Sequence, residues 1–88
     1  MVNNRRSEFD IIYEILRLSR NGAKKTELLY QGNLSYTQLK GYLVFLMEKE
    51  ILEEKIVKKG SSTSKVYHNT EKGDNLLSDI NRALSYFK

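Results

Sequence analysis

The chain has 88 residues, room for one domain spanning 1–88, with no Cys and one His, which excludes disulfides and thiolate metal sites. Charged residues make up 30% and apolar ones 40%, a balance that suits a folded domain better than a disordered one. Fifteen Lys and Arg against eleven Asp and Glu give a net charge of +4, which favours a polyanionic partner.

The opening stretch Met1–Arg6 is polar and lacks the apolar segment of a signal peptide. No apolar run approaches the roughly 18 residues that span a bilayer. A cytoplasmic location without membrane contact is therefore expected. Arg5 and Arg6 are a candidate basic arm.

Ser7 opens the first periodic segment, with Asp10 three residues on in the manner of a capping box. Phe9, Ile12, Ile15 and Leu16, widened by Ile11 and Leu18, form an inward stripe that predicts a helix over Ser7–Arg20. Asn21-Gly22 ends it. A short second helix is expected over Lys25–Gln31, with Leu28 and Leu29 inward, and Gly32-Asn33 breaks it. Ser35 and Gln38 form a cleaner capping box. Leu39, Leu43 and Leu46, with Tyr42 and Phe45 beside them, then predict a third helix over Tyr36–Lys49.

The period changes after Lys49. Ile51–Val57 and Lys65–Asn69 read as two short strands, and the stretch Gly60 with Ser61–Ser64 reads as a flexible tip. Thr70 can cap a last helix, Glu71–Phe87, with Leu76, Leu77, Ile80, Ala83, Leu84 and Phe87 along one side. The expected core unit is 7–70, followed by the carboxyl-terminal helix 71–87. The fold class is α+β: a helix-turn-helix, a two-stranded wing, and a closing helix.

That order has a physical logic. A tight turn at Gly32-Asn33-Leu34 sets the second helix across the third, so the third can lie in a major groove. Its first turns then present Tyr36, Thr37, Gln38 and Lys40 as candidate base and backbone contacts. Four lysines and no acid fall between positions 55 and 65. Lys55, Lys58, Lys59 and Lys65 are therefore candidate phosphate contacts, joined by Lys24 and Lys25 at the start of the second helix. Six apolar residues on the last helix exceed what a small domain covers, so Leu77, Ile80, Leu84 and Phe87 are expected to meet a second copy.

The run Leu34-Ser35, Leu39, Leu43, Leu46 and Glu50-Ile51-Leu52 is similar to the recognition-helix pattern of winged-helix regulators of bacteria and archaea. Gly22–Tyr30, Asn33–Tyr36 and Tyr67 through Thr70-Glu71-Lys72-Gly73 resemble more specifically the small archaeal winged-helix regulators. That group includes chromatin proteins that dimerise through their last helix. The resemblance covers Ser7 to Leu84 and implies a homodimer on double-stranded DNA, acting as a transcriptional regulator or nucleoid-associated factor. Two positions depart from the family: Glu50 stands where Gly is usual, and Gly41 stands where Lys or Arg often follows the first lysine of the third helix.

The rival reading is a winged-helix protein-interaction module, to which Gly41 and Val44 lend weight by leaving the third helix weakly charged. No phosphate-cradling Gly motif, paired carboxylates or nucleophile with a nearby base is present. His68 reads as a bystander in a strand. No enzyme activity, cofactor or metal is expected.

Overall fold

The computed structural model describes residues 7–87; the candidate arm at Arg5 and Arg6 lies outside them. Helix α1 runs Glu8–Leu18. Ser7 caps it reciprocally: Asp10 N donates to Ser7 Oγ at 3.1 Å and Ser7 N donates to Asp10 Oδ2 at 2.9 Å. The expected helix to Arg20 instead tightens into a 3-10 turn over Ser19–Asn21, released by Gly22 at φ +93°.

A two-residue strand β1, Ala23–Lys24, follows and pairs antiparallel with a later strand. It enters helix α2, Lys25–Gly32, where Glu27 Oε1 accepts from Lys24 N at 3.2 Å. Helix α3 spans Tyr36–Glu48 behind the Ser35–Gln38 capping box. Both α2 and α3 end the same way. Asn33 at φ +52° and Glu50 at φ +59° take the left-handed position. The next amide then reaches back five residues, Leu34 N to Leu29 O at 3.1 Å and Ile51 N to Leu46 O at 2.9 Å. These are Schellman ends without glycine. Glu50 thus fills the glycine position of the motif in its own strained conformation, which costs a non-glycine residue about 1 kcal/mol.

Strands β2, Leu52–Lys59, and β3, Ser62–Asn69, form the hairpin. The sheet has three strands in the order β1-β3-β2, one more than the two-stranded wing expected. The tip is also shorter than expected. Val57, Lys58 and Lys59 pair with Ser64, Thr63 and Ser62, so only Gly60 and Ser61 turn the chain. Gly60 at φ +63° supplies the positive angle at the first turn position. Ser62–Ser64 look like a linker in composition, yet the strand ladder is built by backbone amides, which any of them possesses.

Helix α4, Glu71–Ser85, starts on Thr70, whose Oγ1 accepts from Gly73 N at 3.1 Å. The core collects Ile11, Ile15 and Leu16 from α1, Leu28 from α2, Leu39, Leu43 and Leu46 from α3, Leu52 and Tyr67 from the sheet, and Leu77 from α4. Burying each such side chain is worth about 1.5–3 kcal/mol. Two expectations are corrected here. Phe9, read as part of the inward stripe, is 70% exposed, lying beside Ile80 and Leu84 of α4 instead of in the core. Leu77, read as a dimer contact, is 6% exposed and belongs to the chain's own core.

Candidate nucleic-acid interface

Leu39, Leu43 and Leu46 anchor α3 by one side, and helical geometry turns Thr37, Gly41 and Val44 to the opposite side. All three are exposed. Tyr36 and Lys40, also exposed, flank this row on one side, and Gln38 and Phe45 flank it on the other. Tyr36 is steadied from α2, since Lys25 Nζ lies 5.2 Å from the centre of its ring. Such a contact is worth about 0.5–1 kcal/mol at an exposed site. Gln38 is half committed: its Oε1 accepts from Ser35 N at 3.0 Å, leaving only the amide NH₂ to face outward.

The wing lysines divide by strand parity. Opposed residues of an antiparallel pair share a face. Lys58 opposes Thr63 and Lys65 opposes Ile56, on the same face as Glu54 and the buried Tyr67. Lys55 and Lys59 project from the reverse face, where Lys24, Val66 and Lys55 form one row across the sheet. Carboxylates partly neutralise two of the four. Lys55 Nζ lies 3.2 Å from Glu53 and Lys65 Nζ 4.0 Å from Glu54. Both pairs are exposed and add little to stability. Among the described residues no carboxylate pairs with Lys24, Lys40, Lys58 or Lys59.

At the root of the wing, Tyr67 Oη donates to Glu54 Oε2 at 3.0 Å. Burial, reinforced by Glu54, pushes the Tyr67 phenol up to about 12. Glu54 therefore joins the sheet's interior to Lys65 on its rim.

The expected dimer residues end up in different places. Ile80 is half-buried, and Leu84 and Phe87 are exposed, Phe87 at 87%. With Phe9 of α1 and Ala83 they line an apolar groove of about 310 Å³. Phe9 was missed as a member of this surface. A count of apolar positions on α4 alone does not reveal that α1 contributes to it. The outward row of α3 was legible but unread as a unit: Thr37, Gly41 and Val44 follow at helical spacing from the buried leucines.

A family model described as winged helix-turn-helix matches residues 5–87. The chain belongs to the winged helix-turn-helix family. In this winged helix, α2 and α3 are the helix-turn-helix and β2–β3 the wing.

An uncharacterized protein of Methanocaldococcus jannaschii is 32% identical over 77 residues, which cover 86% of this chain and 33% of that protein. The chain therefore spans about a third of the length of the curated relative it matches. A crystal structure of a Streptococcus mutans UA159 protein superposes with a TM-score of 0.81 at 19% identity, covering 92% of this chain and 81% of that one. That of Sso10a-2, a DNA-binding protein from Sulfolobus solfataricus, gives a TM-score of 0.74 at 26% identity over 92% of this chain and 81% of that one.

Among the described residues no three His, Asp or Glu converge as a metal site, and no helix is long and apolar enough to cross a membrane.

Proposed function

We propose that this winged helix binds double-stranded DNA in the cytoplasm as a homodimer, serving transcriptional regulation or organisation of the nucleoid. The observation that carries the reading is the convergence around α3. Its anchored helix offers Tyr36, Thr37, Lys40 and the amide NH₂ of Gln38 outward, with Lys25 against Tyr36 and, on the wing, Lys58, which pairs with no carboxylate among the described residues. On this docking α3 enters the major groove, and Lys24, Lys25, Lys55, Lys58, Lys59 and Lys65 meet phosphates. Likeness to a DNA-binding protein of Sulfolobus solfataricus supports the same reading.

The groove of Phe9, Ile80, Ala83, Leu84 and Phe87 supports pairing through α4. Exposed apolar surface of this kind is costly in a free monomer and is covered when two copies meet. Replacing Ile80 and Leu84 together by Glu is expected to leave a folded monomer in sedimentation, because Leu77 still holds α4 to the core. A wild-type chain that sediments as a monomer at micromolar concentration refutes this pairing.

Duplex affinity measured across salt concentrations tests the main reading. A DNA binder loses affinity linearly on logarithmic axes, with a slope near −0.9 per phosphate neutralised. Lys40→Ala is expected to lower that slope by about one and Tyr36→Ala to weaken binding, both with little change in thermal stability. Flat salt dependence favours the rival, a protein-interaction module, for which the uncharged outward pair Gly41 and Val44 speaks.

A further inference from the structure

Gly41 lies in the interior of α3, where glycine is among the least favourable residues. Two reasons commonly explain such a glycine, and neither applies here. Its φ is not positive. A Cβ built on it meets nothing within 4 Å. Neither backbone geometry nor internal packing asks for glycine at this position. The remaining reason is close approach by another molecule.

What surrounds Gly41 describes the visitor. Thr37 and Val44 stand before and after it on the outward row, and Phe45 with Tyr42 walls the side toward α1. The depression there, about 410 Å³, is shared with Ile12. Glu8 and Gln38 complete its lining on the far side. The outward row itself, Thr37, Gly41 and Val44, offers methyl groups, with Lys40 flanking it on the other side. Helix α3 contains no Arg or Asn. Gln38, the residue suited to adenine, has its carbonyl drawn back to Ser35 N in the helix cap, which disfavours a two-pronged contact to a base. Of the features a base pair presents in the major groove, the outward row matches the C5-methyl group of thymine.

We propose that Gly41 is a specificity-determining close-approach position, which admits a thymine methyl between Thr37 and Val44 when α3 lies in the major groove. The inference rests on the DNA-binding reading and names the base-pair class that reading leaves open: A·T pairs recognised by their methyl groups rather than by hydrogen bonds.

The test compares duplexes of alternating dA and dT with duplexes of alternating dA and dU, equal in length and at one salt concentration. They differ by the methyl group at every thymine. Wild type is expected to bind the methylated duplex more tightly by about fourfold per methyl buried. Gly41→Ala is expected to raise the thermal midpoint by about 4 °C or more, since alanine suits a helix better. The same variant is expected to bind the methylated duplex less tightly and to lose the preference between the two. Equal wild-type affinity for both duplexes overturns the inference and leaves DNA binding intact. So does a Gly41→Ala chain that keeps the full preference. Absence of salt-dependent binding to either duplex at low salt overturns the DNA reading itself.

Discussion

At its root the β2–β3 hairpin is fastened from several directions, and eight residues further out it is fastened only to itself. Thr70 N donates to Ile51 O at 3.1 Å, and Thr70 Oγ1 lies 2.6 Å from Glu50 O and 3.0 Å from Ile51 O. Asn69 Nδ2 donates to Leu16 O at 2.8 Å, tying β3 to the end of α1. Lys72 Nζ reaches Lys49 O at 2.9 Å across the same junction. Beyond Lys55 and Val66, the ladder continues to Lys59 and Ser62 with exposed or half-exposed side chains. One strand pair thus serves two purposes. Its root contributes to folding, and its tip is left to carry charge. Substitutions at the root should show in stability, and those at the tip in binding.

Gly73 provides the strongest way to break the root. A Cβ there would fall 2.1 Å from Ile51 O, a backbone atom that also accepts from Thr70. Helix α4 sits this close to the exit of α3 because glycine has no side chain. Gly73→Ala must push the helix away and loosen the Thr70 contacts together. A loss of about 3 kcal/mol is expected, the upper part of the range for overpacking, and it exceeds the roughly 1 kcal/mol of helix propensity gained. Urea denaturation followed by circular dichroism measures it. A variant as stable as wild type would mean that the junction gives way easily, and the contrast with the tip would lose its basis.

Tyr67 sharpens the contrast through pH. The folded chain holds its phenol neutral, up to about 12 against an ordinary 10, chiefly through burial and then through Glu54. A raised pKa of this kind contributes stability that is complete below about pH 10. It is lost as pH rises toward 12, because the unfolded chain ionises first. Up to about 2 kcal/mol is at stake over that window. Tyr67→Phe forfeits the bond to Glu54, costing about 1 kcal/mol at neutral pH, but has no phenol to ionise. The difference between wild type and variant is therefore expected to narrow from pH 9 to about pH 11 in thermal melts. A constant difference would show that Tyr67 does not couple the root to pH.

The root was partly visible in the sequence and the tip was misread, for reasons that lie in which groups make each structure. Helical periodicity and the Ser7–Asp10 and Ser35–Gln38 boxes are written in side chains, and α1, α3 and α4 follow from them with ends shifted by one or two residues. Strand β1 is two residues long and exists only because Ala23 and Lys24 lie beside Tyr67 and Val66; no local pattern announces it. Ser62–Ser64 pair through amides that composition does not record. Glu50 takes a left-handed angle that favours glycine because Ile51 and Leu52 must turn back under α3. Of the six apolar residues expected on the last helix, five lie on α4 and Phe87 follows its end, and only tertiary packing separates the buried Leu77 from the exposed Leu84 and Phe87.

The smallest effect on stability belongs to the tip. Lys58 and Lys59 are exposed, pair with no carboxylate among the described residues, and sit opposite Thr63 and Ser62 beside the Gly60 turn. Replacing either by Gln keeps a long polar side chain on a paired strand and removes one of several like charges. Unfolding free energies of Lys58→Gln, Lys59→Gln and the double variant are expected within about 0.5 kcal/mol of wild type. On the proposed docking, binding responds differently. Each lysine that meets a phosphate releases counterions, so the double variant is expected to lower the salt slope by up to about two. The loss should be alike on any duplex sequence, since phosphates carry no sequence directly. The two faces of the strand add a finer distinction. Lys58 shares its face with Tyr67 and Lys65, whereas Lys59 projects with Lys55 from the other side. Lys58→Gln should therefore account for most of the change if that face of the wing follows α3 onto the duplex. Equal losses from the two single variants would place the tip edge-on to the backbone. A double variant that binds like wild type at every salt concentration would leave these lysines as a solvated edge that guards the strands against association.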